Sequence, residues 1–429
     1  MKGYQFEDTQ GTFHLKKAEN ISYLYFPIAG EAGLKSSFTP NLGGDAKIDQ
    51  NTFLLEPVSA ENLVNNRNSR NFWCNVKGIG SWSLTGHSAE ELSKKFTEMQ
   101  DDSEVTAGFM WQKTTRESKK YQLRGEILSF IPVDKNVEIM LVTITNTGRM
   151  AQTVTPTAAI PLYGRSADNI RDHRHVTSLL HRIETTDTGV LVTPTLSFDE
   201  RGHQVNHMTY YCVGWSGNGE KPVDFYPTAE DFVGEGGNFE RPYAIVKNAE
   251  GVKAGTKIEG LEAVGGLHFS EITLEPEEEC SYLIFTGITE DIQEIRNLSK
   301  TYTTREKVLE ELEKTKAYWQ EKVNVAYHTG DSDFNQFMHW VSFQPILRRI
   351  YGCSFLPHHD YGKGGRGWRD LWQDCLALLI MNPDGVRQML LDNFAGVRID
   401  GSNATIIGSK QGEFVADRNN ITRVWMDHD

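Results

Sequence analysis

The stretch EIMLVTITN (residues 138–146) alternates apolar with hydroxyl-bearing or polar side chains and runs into the turn residues NTG (146–148). A period of two sends successive side chains to opposite faces, which is what a half-buried antiparallel strand requires. Comparable β-branched or aromatic runs recur at 21–26, 121–133, 189–198, 208–215 and 281–289, separated by turns such as LEPEEE (274–279). Many short strands at this spacing predict a large antiparallel β-sandwich over residues 1–300. Inside it, SAEELSKKF (88–96) carries helix formers after a Ser cap and predicts one short helix over 89–97.

The period changes near residue 303. In TREKVLEELEKTKAYWQEKV (304–323) the residues Val308, Leu312, Trp319 and Val323 fall on one stripe, and Thr303 with Glu306 has capping-box spacing. This predicts a helix of about 20 residues within a helical linker, 301–328. A second helix is expected from Asp331 or Ser332, carrying Phe334, Phe337, Met338 and Val341, with Pro345 kinking or ending it. A third is expected over 370–381 and a fourth from the Asn382-Pro383 start signal to about Phe394. The α-hairpin region therefore spans 329–429.

At 429 residues the chain has room for two or three domains. Its 44 Lys+Arg against 58 Asp+Glu give a net charge of -14, which excludes a surface built to neutralise nucleic-acid phosphates or anionic lipid and favours neutral or cationic small ligands. No apolar run approaches the 18 residues of a membrane span, and the N-terminus lacks the apolar segment of an export signal. Cys74, Cys212, Cys280, Cys353 and Cys375 are scattered and odd in number, without CxxC spacing; the expectation is buried thiols in a reducing cytoplasm, no disulfide framework and no zinc site.

Chemistry concentrates in SFLPHHDYGKGGRGWRDLWQDCLALLI (354–380). At about 100° per residue, Arg369, Gln373, Asp370 and Asp374 form one polar arc near the start of the third helix, with Leu371, Cys375 and Leu378 opposite. Either a solvated face or a ligand site produces such an arc. The indoles Trp368 and Trp372, the Gly-rich approach, and His358, His359 and Asp360 upstream favour a sugar site, where carboxylates and Arg bind hydroxyls and aromatic rings pack on the apolar face of the ring. GKGGRG (362–367) matches GxGxxG only formally, because no suitable strand precedes it and Lys363 and Arg366 fill its variable positions; it is read as an anion-receiving loop or a plain surface turn. His173, His175 and His181 are spaced too loosely for a metal and are assigned to a surface loop. The Asn-rich 50–73 segment with Arg67, Arg70 and Trp73 is read as an internal turn network rather than a loop reaching a site.

YLYFPIAGEAG (23–33), GGDAKIDQNTFLLEPVSAENLVNNRNSRNFW (43–73), the RDxxQD element within 354–374 and NFAGVRIDGSNATIIG (393–408) together resemble the glycoside phosphorylases of glycoside hydrolase family 94, most nearly the laminaribiose and cellobiose types. The resemblance implies an N-terminal β-sandwich, a helical linker and an (α/α)6 barrel of which 329–429 supplies only the first part. It also implies a cytoplasmic homodimer acting on a β-linked gluco-disaccharide or oligosaccharide, with inorganic phosphate as co-substrate and no cofactor or metal. The implied reaction is inverting phosphorolysis to α-glucose 1-phosphate. Phosphate attacks the anomeric carbon in place of an activated water, so one general acid suffices. Arg369 and Asp374 match residues that hold the hydroxyls of the cleaved sugar. Asp370, Gln373 and Trp368 join them as substrate-binding candidates, and Arg366 is the candidate on the phosphate side. The family's general acid is expected beyond residue 429; Asp427 and His428 do not take its place. The chain as given is accordingly expected to be inactive alone, with Leu371, Cys375 and Leu378 left without burying partners. A non-catalytic carbohydrate-binding fragment and a related inverting hydrolase are the competing readings.

Overall fold

The computed structural model describes residues 3–21, 24–59, 67–199, 202–352 and 366–394, with isolated positions and two short strands between 397 and 415. Its largest element is an antiparallel sheet of 11 strands. From edge to edge these are Tyr4–Phe6, Phe13–Lys16, Asp102–Gly108, Trp111–Ser118, Leu123–Phe130, Val137–Asn146, Glu279–Thr289, Thr209–Ser216, Gly189–Val192, Arg182–Thr185 and Lys257–Glu259. A second antiparallel sheet, built around the long strand Gln152–Leu162, lies against it. A four-stranded sheet contains the hairpin of Phe26–Ala29 and Lys35–Phe38. The expected β-sandwich is present.

The strand Val137–Asn146 departs from expectation in one respect. It is buried at every position rather than on one face. Met140, Val142 and Ile144 enter the core between the sheets with Phe72, Cys74, Ile160 and Leu267. Ile139 and Leu141 point the other way, into a core closed by helices. The alternation is thus a division between two cores, and both faces of the central strands are covered.

Among the described residues the helices are α1 (Ala89–Ser93), α2 (Arg174–Ser178), α3 (Ala229–Val233), α4 (Tyr243–Lys247), α5 (Ile292–Thr301), α6 (Arg305–Lys322), α7 (Ser332–Tyr351), α8 (Trp368–Met381) and α9 (Val386–Phe394). Helix α1 follows its Ser88 cap, whose side chain accepts from the Glu91 N–H. Helix α6 buries the stripe Val308, Leu312, Trp319 and Val323, and at roughly 1.5–3 kcal/mol per large side chain this face carries its stability. Its N-cap is Thr304, one residue later than the capping-box spacing suggests. Helix α5 has no counterpart in the sequence reading; its Ile295 and Leu298, with Tyr302, close the second core beside Trp215, whose indole N–H donates to the Tyr302 carbonyl (3.0 Å).

Helix α7 starts at the Asp331 cap, as expected, but runs through Pro345 to Tyr351. Phe334, Phe337 and Val341 are exposed, and the buried face is instead Gln336, Ser342, Phe343, Pro345, Ile346, Leu347 and Tyr351. Burial of Pro345 and its neighbours offsets the backbone hydrogen bond that proline removes. A third core joins the two halves of the molecule. It contains Ala29, Phe109 and Met110 from the sandwich, Trp319 from α6, Phe343, Ile346, Leu347 and Tyr351 from α7, Leu371, Cys375 and Leu378 from α8, and Val386 from α9. The expectation that Leu371, Cys375 and Leu378 lack partners is therefore wrong: this core buries all three. The exposed apolar residues of α8 are Leu376, Leu379 and Ile380 on the opposite face.

Candidate functional site

The first turns of α8 meet the C-terminal turn of α7. Gly367 is the N-cap of α8, and Asp370, three residues on, folds back so closely that a Cβ on Gly367 would collide with its carboxylate. Arg369 and Gln373 are exposed, and the Asp370 carboxylate is partly exposed beside the Arg369 guanidinium (3.4 Å). Asp374, one turn further, is only 3% exposed. Arg348 reaches it from α7: Nε lies 2.7 and 2.8 Å from the two carboxylate oxygens, and Nη2 also donates to Oδ1. The bond to Asp374, helped by the field of Asp370, raises the Arg348 pKa above its ordinary value. The two helices are thus joined by a charge-assisted fork.

Of the sequence candidates, the structure brings Arg369, Asp370 and Gln373 together at one partly exposed edge and sets Asp374 behind them as a buried, ion-paired residue. Arg348 completes the cluster and was missed, because its only local signal is an Arg pair near the end of a helix predicted to stop or bend at Pro345. Trp368 and Trp372 are half-buried and packed edge to face, with centroids 5.5 Å apart, and Trp372 packs likewise on Phe394 of α9 (4.8 Å). The Trp368 indole donates to the Asn393 carbonyl (3.3 Å). Both indoles therefore help dock α9 onto α8. The Arg366 backbone forms a short strand with 406–407, but its side chain lies outside the described residues, as do His358, His359, Asp360, Lys363 and Cys353.

The histidine assignment needs correction. His175 is exposed, but His181 is fully buried, with Nδ1 3.2 Å from the Leu261 carbonyl and Nε2 facing Arg165 Nε. Burial and the Arg165 charge push its pKa down to about 3. Nearby, Arg174 forks onto the buried Glu56 and also reaches Glu262 (3.1 Å), which Arg67 binds at 2.6 Å. Burial acts against the Glu262 charge, yet the two arginines hold its pKa below the usual carboxylate value. Arg70, in the Asn-rich segment, is fully buried against Glu138, which supports the internal-network reading at that residue; 60–66 lie outside the described residues.

The two-sheet antiparallel sandwich followed by α-hairpins is a fold that this chain shares with solved structures. The chain is similar to a bacterial glucoamylase solved with acarbose (TM-score 0.52, 10% identity, 92% of this chain and 53% of that one). It is equally similar to a candidate kojibiose phosphorylase from the human microbiome (TM-score 0.51, 10% identity, 93% and 51%). At that identity the likeness establishes the fold alone. The family follows from sequence: the model of the glycosyl hydrolase 94 supersandwich domain matches residues 55–305, more than half of the chain, and the chain belongs to glycosyl hydrolase family 94. A curated relative, the cyclic β-(1,2)-glucan synthase NdvB of Rhizobium meliloti (strain 1021), is 26% identical over 194 residues, 44% of this chain and 6% of that protein. The chain thus spans about half the length of those solved relatives and a small part of the curated one. No helix among the described residues is long and apolar enough to cross a membrane.

Proposed function

We propose that the protein takes part in inverting phosphorolysis of a β-linked gluco-disaccharide or short oligosaccharide, yielding α-glucose 1-phosphate and a shortened sugar. The observation that carries this reading is the RDxxQD turn of α8, where Arg369, Asp370 and Gln373 share a partly exposed edge backed by the Arg348–Asp374 fork. Neutral sugar hydroxyls need donors and acceptors of fixed direction more than net charge, and a turn whose anchoring carboxylate is already neutralised supplies them. Arg369 donates, Asp370 accepts, and Gln373 does either. Asp374 contributes by fixing this turn through its fork with Arg348.

On the phosphate side the reading assigns Arg366, with inorganic phosphate as co-substrate and nucleophile and no other cofactor. One carboxylic acid protonates the leaving glycosidic oxygen as phosphate attacks from the opposite face, inverting the anomeric centre. A homodimer in the cytoplasm is part of the same proposal. The test is to incubate the protein, expressed at its natural full length, with laminaribiose or cellobiose and phosphate and to assay glucose 1-phosphate. Phosphate-dependent product supports the reading. Glucose released without phosphate would replace it with an inverting hydrolase, and sugar binding without turnover with a carbohydrate-binding role.

A further inference from the structure

Pro345 has no N–H to offer the Val341 carbonyl, so the last turns of α7 are joined to the rest of the helix by one hydrogen bond fewer. Those turns are held from outside, by the 26–38 hairpin of the sandwich. Lys35 Nζ donates to the Ile350 carbonyl (3.0 Å), satisfying one of the helix's terminal acceptors. The buried Tyr351 hydroxyl sits 2.7 Å from both the Ile28 and Ser36 carbonyl oxygens and donates to one at a time. In the hairpin turn, Glu31 receives Arg349 Nη1 (2.9 Å) and Nη2 (2.5 Å), one on each oxygen, and the Tyr318 hydroxyl of α6 (3.0 Å). Glu31 is itself pinned to the loop joining Leu123–Phe130 to Val137–Asn146 in the large sheet by its N–H on the Val133 carbonyl (2.7 Å). Burial alone would raise its pKa, but Arg349 and Tyr318, with Lys322, keep it below the ordinary value, so the carboxylate stays ionised. The next residue back, Arg348, is the one that grips Asp374.

We propose that Glu31 is a positioning residue: through Arg349 it places the last turn of α7, and through Arg348 and Asp374 that turn places the sugar-side residues of α8. The shared core supports the same route, because Ala29 of the hairpin, Ile346 and Leu347 of α7 and Leu371 of α8 belong to one buried cluster. The inference rests on the sugar-site reading for what α8 binds, while the mechanical link stands on the geometry alone.

The test uses Glu31→Gln and Arg349→Met, with Arg349→Lys as the conservative control, in the protein at its natural full length. Amide hydrogen exchange is followed across Trp368–Met381 and, as an internal control, across Ile292–Thr301; KM is measured for laminaribiose and for phosphate. The expected result is about tenfold faster exchange in α8 and an increase of about tenfold in the sugar KM for the first two variants, with partial rescue in the lysine variant. The phosphate KM and α5 exchange stay unchanged. Unaltered α8 exchange in Glu31→Gln overturns the positioning role whatever the activity. Faster exchange with an unaltered sugar KM overturns its connection to substrate. A wild-type protein that neither binds nor phosphorolyses a β-glucoside overturns the function reading instead, and the exchange result still decides the mechanical link.

Discussion

Glu138→Gln is the perturbation whose cost the structure defines best. Arg70 and Glu138 are both 0% exposed. Arg70 Nε donates to Oε1 and Nη2 to Oε2 (3.1 Å), while Nη1 reaches the Gly44 carbonyl (3.1 Å) and Nη2 the Asp45 carbonyl (3.2 Å). Ser36 donates its hydroxyl to Oε2 (2.5 Å), so the pair is satisfied on every side. An isosteric amide at 138 keeps the volume and removes the countercharge, leaving a guanidinium in the interior with carbonyls and the Phe38 ring face (4.9 Å) for compensation. Breaking a buried pair in this way costs about 3–5 kcal/mol, which lowers Tm by roughly 6–20 °C for a domain of this size. Differential scanning calorimetry measures the effect. The double variant Arg70→Met with Glu138→Leu removes both charges and recovers most of the loss. A fall in Tm below about 3 °C for Glu138→Gln, or a double variant no more stable than the single, would refute the claim that the pair is dry and mutually required.

Four further outcomes are expected. Because the native His181 pKa is pushed down to about 3 while an unfolded imidazole titrates near 6.5, its stabilising contribution is present above pH 6.5 and lost progressively as pH falls towards 3; by pH 5 the loss is about 2 kcal/mol, and His181→Asn should flatten the decline of Tm between pH 7 and 5. Asp374→Asn should lower stability by about 1–3 kcal/mol, since it breaks the fork with the partly exposed Arg348, and lower kcat/KM about 10–1,000-fold; thermal melts and steady-state kinetics read the two separately. Gly44→Ala should prevent soluble folding, because at φ +150° its Cβ would overlap the Ser37 carbonyl oxygen across the hairpin; solubility and circular dichroism report it. Leu376→Lys with Ile380→Glu should reduce self-association of the 429-residue chain in light scattering, because both side chains are mostly exposed on α8.

Period-two alternation was enough to predict a sandwich, and the 3.6-residue stripe of α6 named the buried Val308, Leu312 and Trp319 and the buried C-cap Val323, though not the buried Thr315. Alternation alone did not show that Val137–Asn146 is covered on both sides. Glu138, Thr143 and Thr145 are buried because other segments come to them, Arg70 and Ser36 in the case of Glu138, and nothing in the strand's own sequence announces distant partners. The apolar residues of α7 misled for a related reason: Phe334, Phe337 and Val341 mark an apolar face, but core volume is allotted by the neighbouring elements, and here those elements cover the face bearing Phe343, Ile346 and Leu347. At the candidate site, Arg369, Asp370 and Gln373 share a face because helical spacing dictates it. The burial of Asp374 does not follow from spacing. It depends on Arg348, 26 positions earlier on another helix, a pairing that only the tertiary fold creates.

The order of strands in the large sheet also sets a timetable for synthesis. Its central pairing joins Val137–Asn146 to Glu279–Thr289, with Val137 opposite Gly287, and the second of these strands pairs in turn with Thr209–Ser216. At translation rates of about 5–20 residues per second, the first of these strands waits on the order of ten seconds beyond the ribosome exit before its partner exists. During that interval the edge of Val137–Asn146 that will meet Glu279–Thr289 stays unpaired, while its other edge can already pair with Leu123–Phe130. Pairing across so long a stretch of sequence is slow to complete, so yield in expression should respond more to the rate of synthesis than to the stability of the finished sandwich.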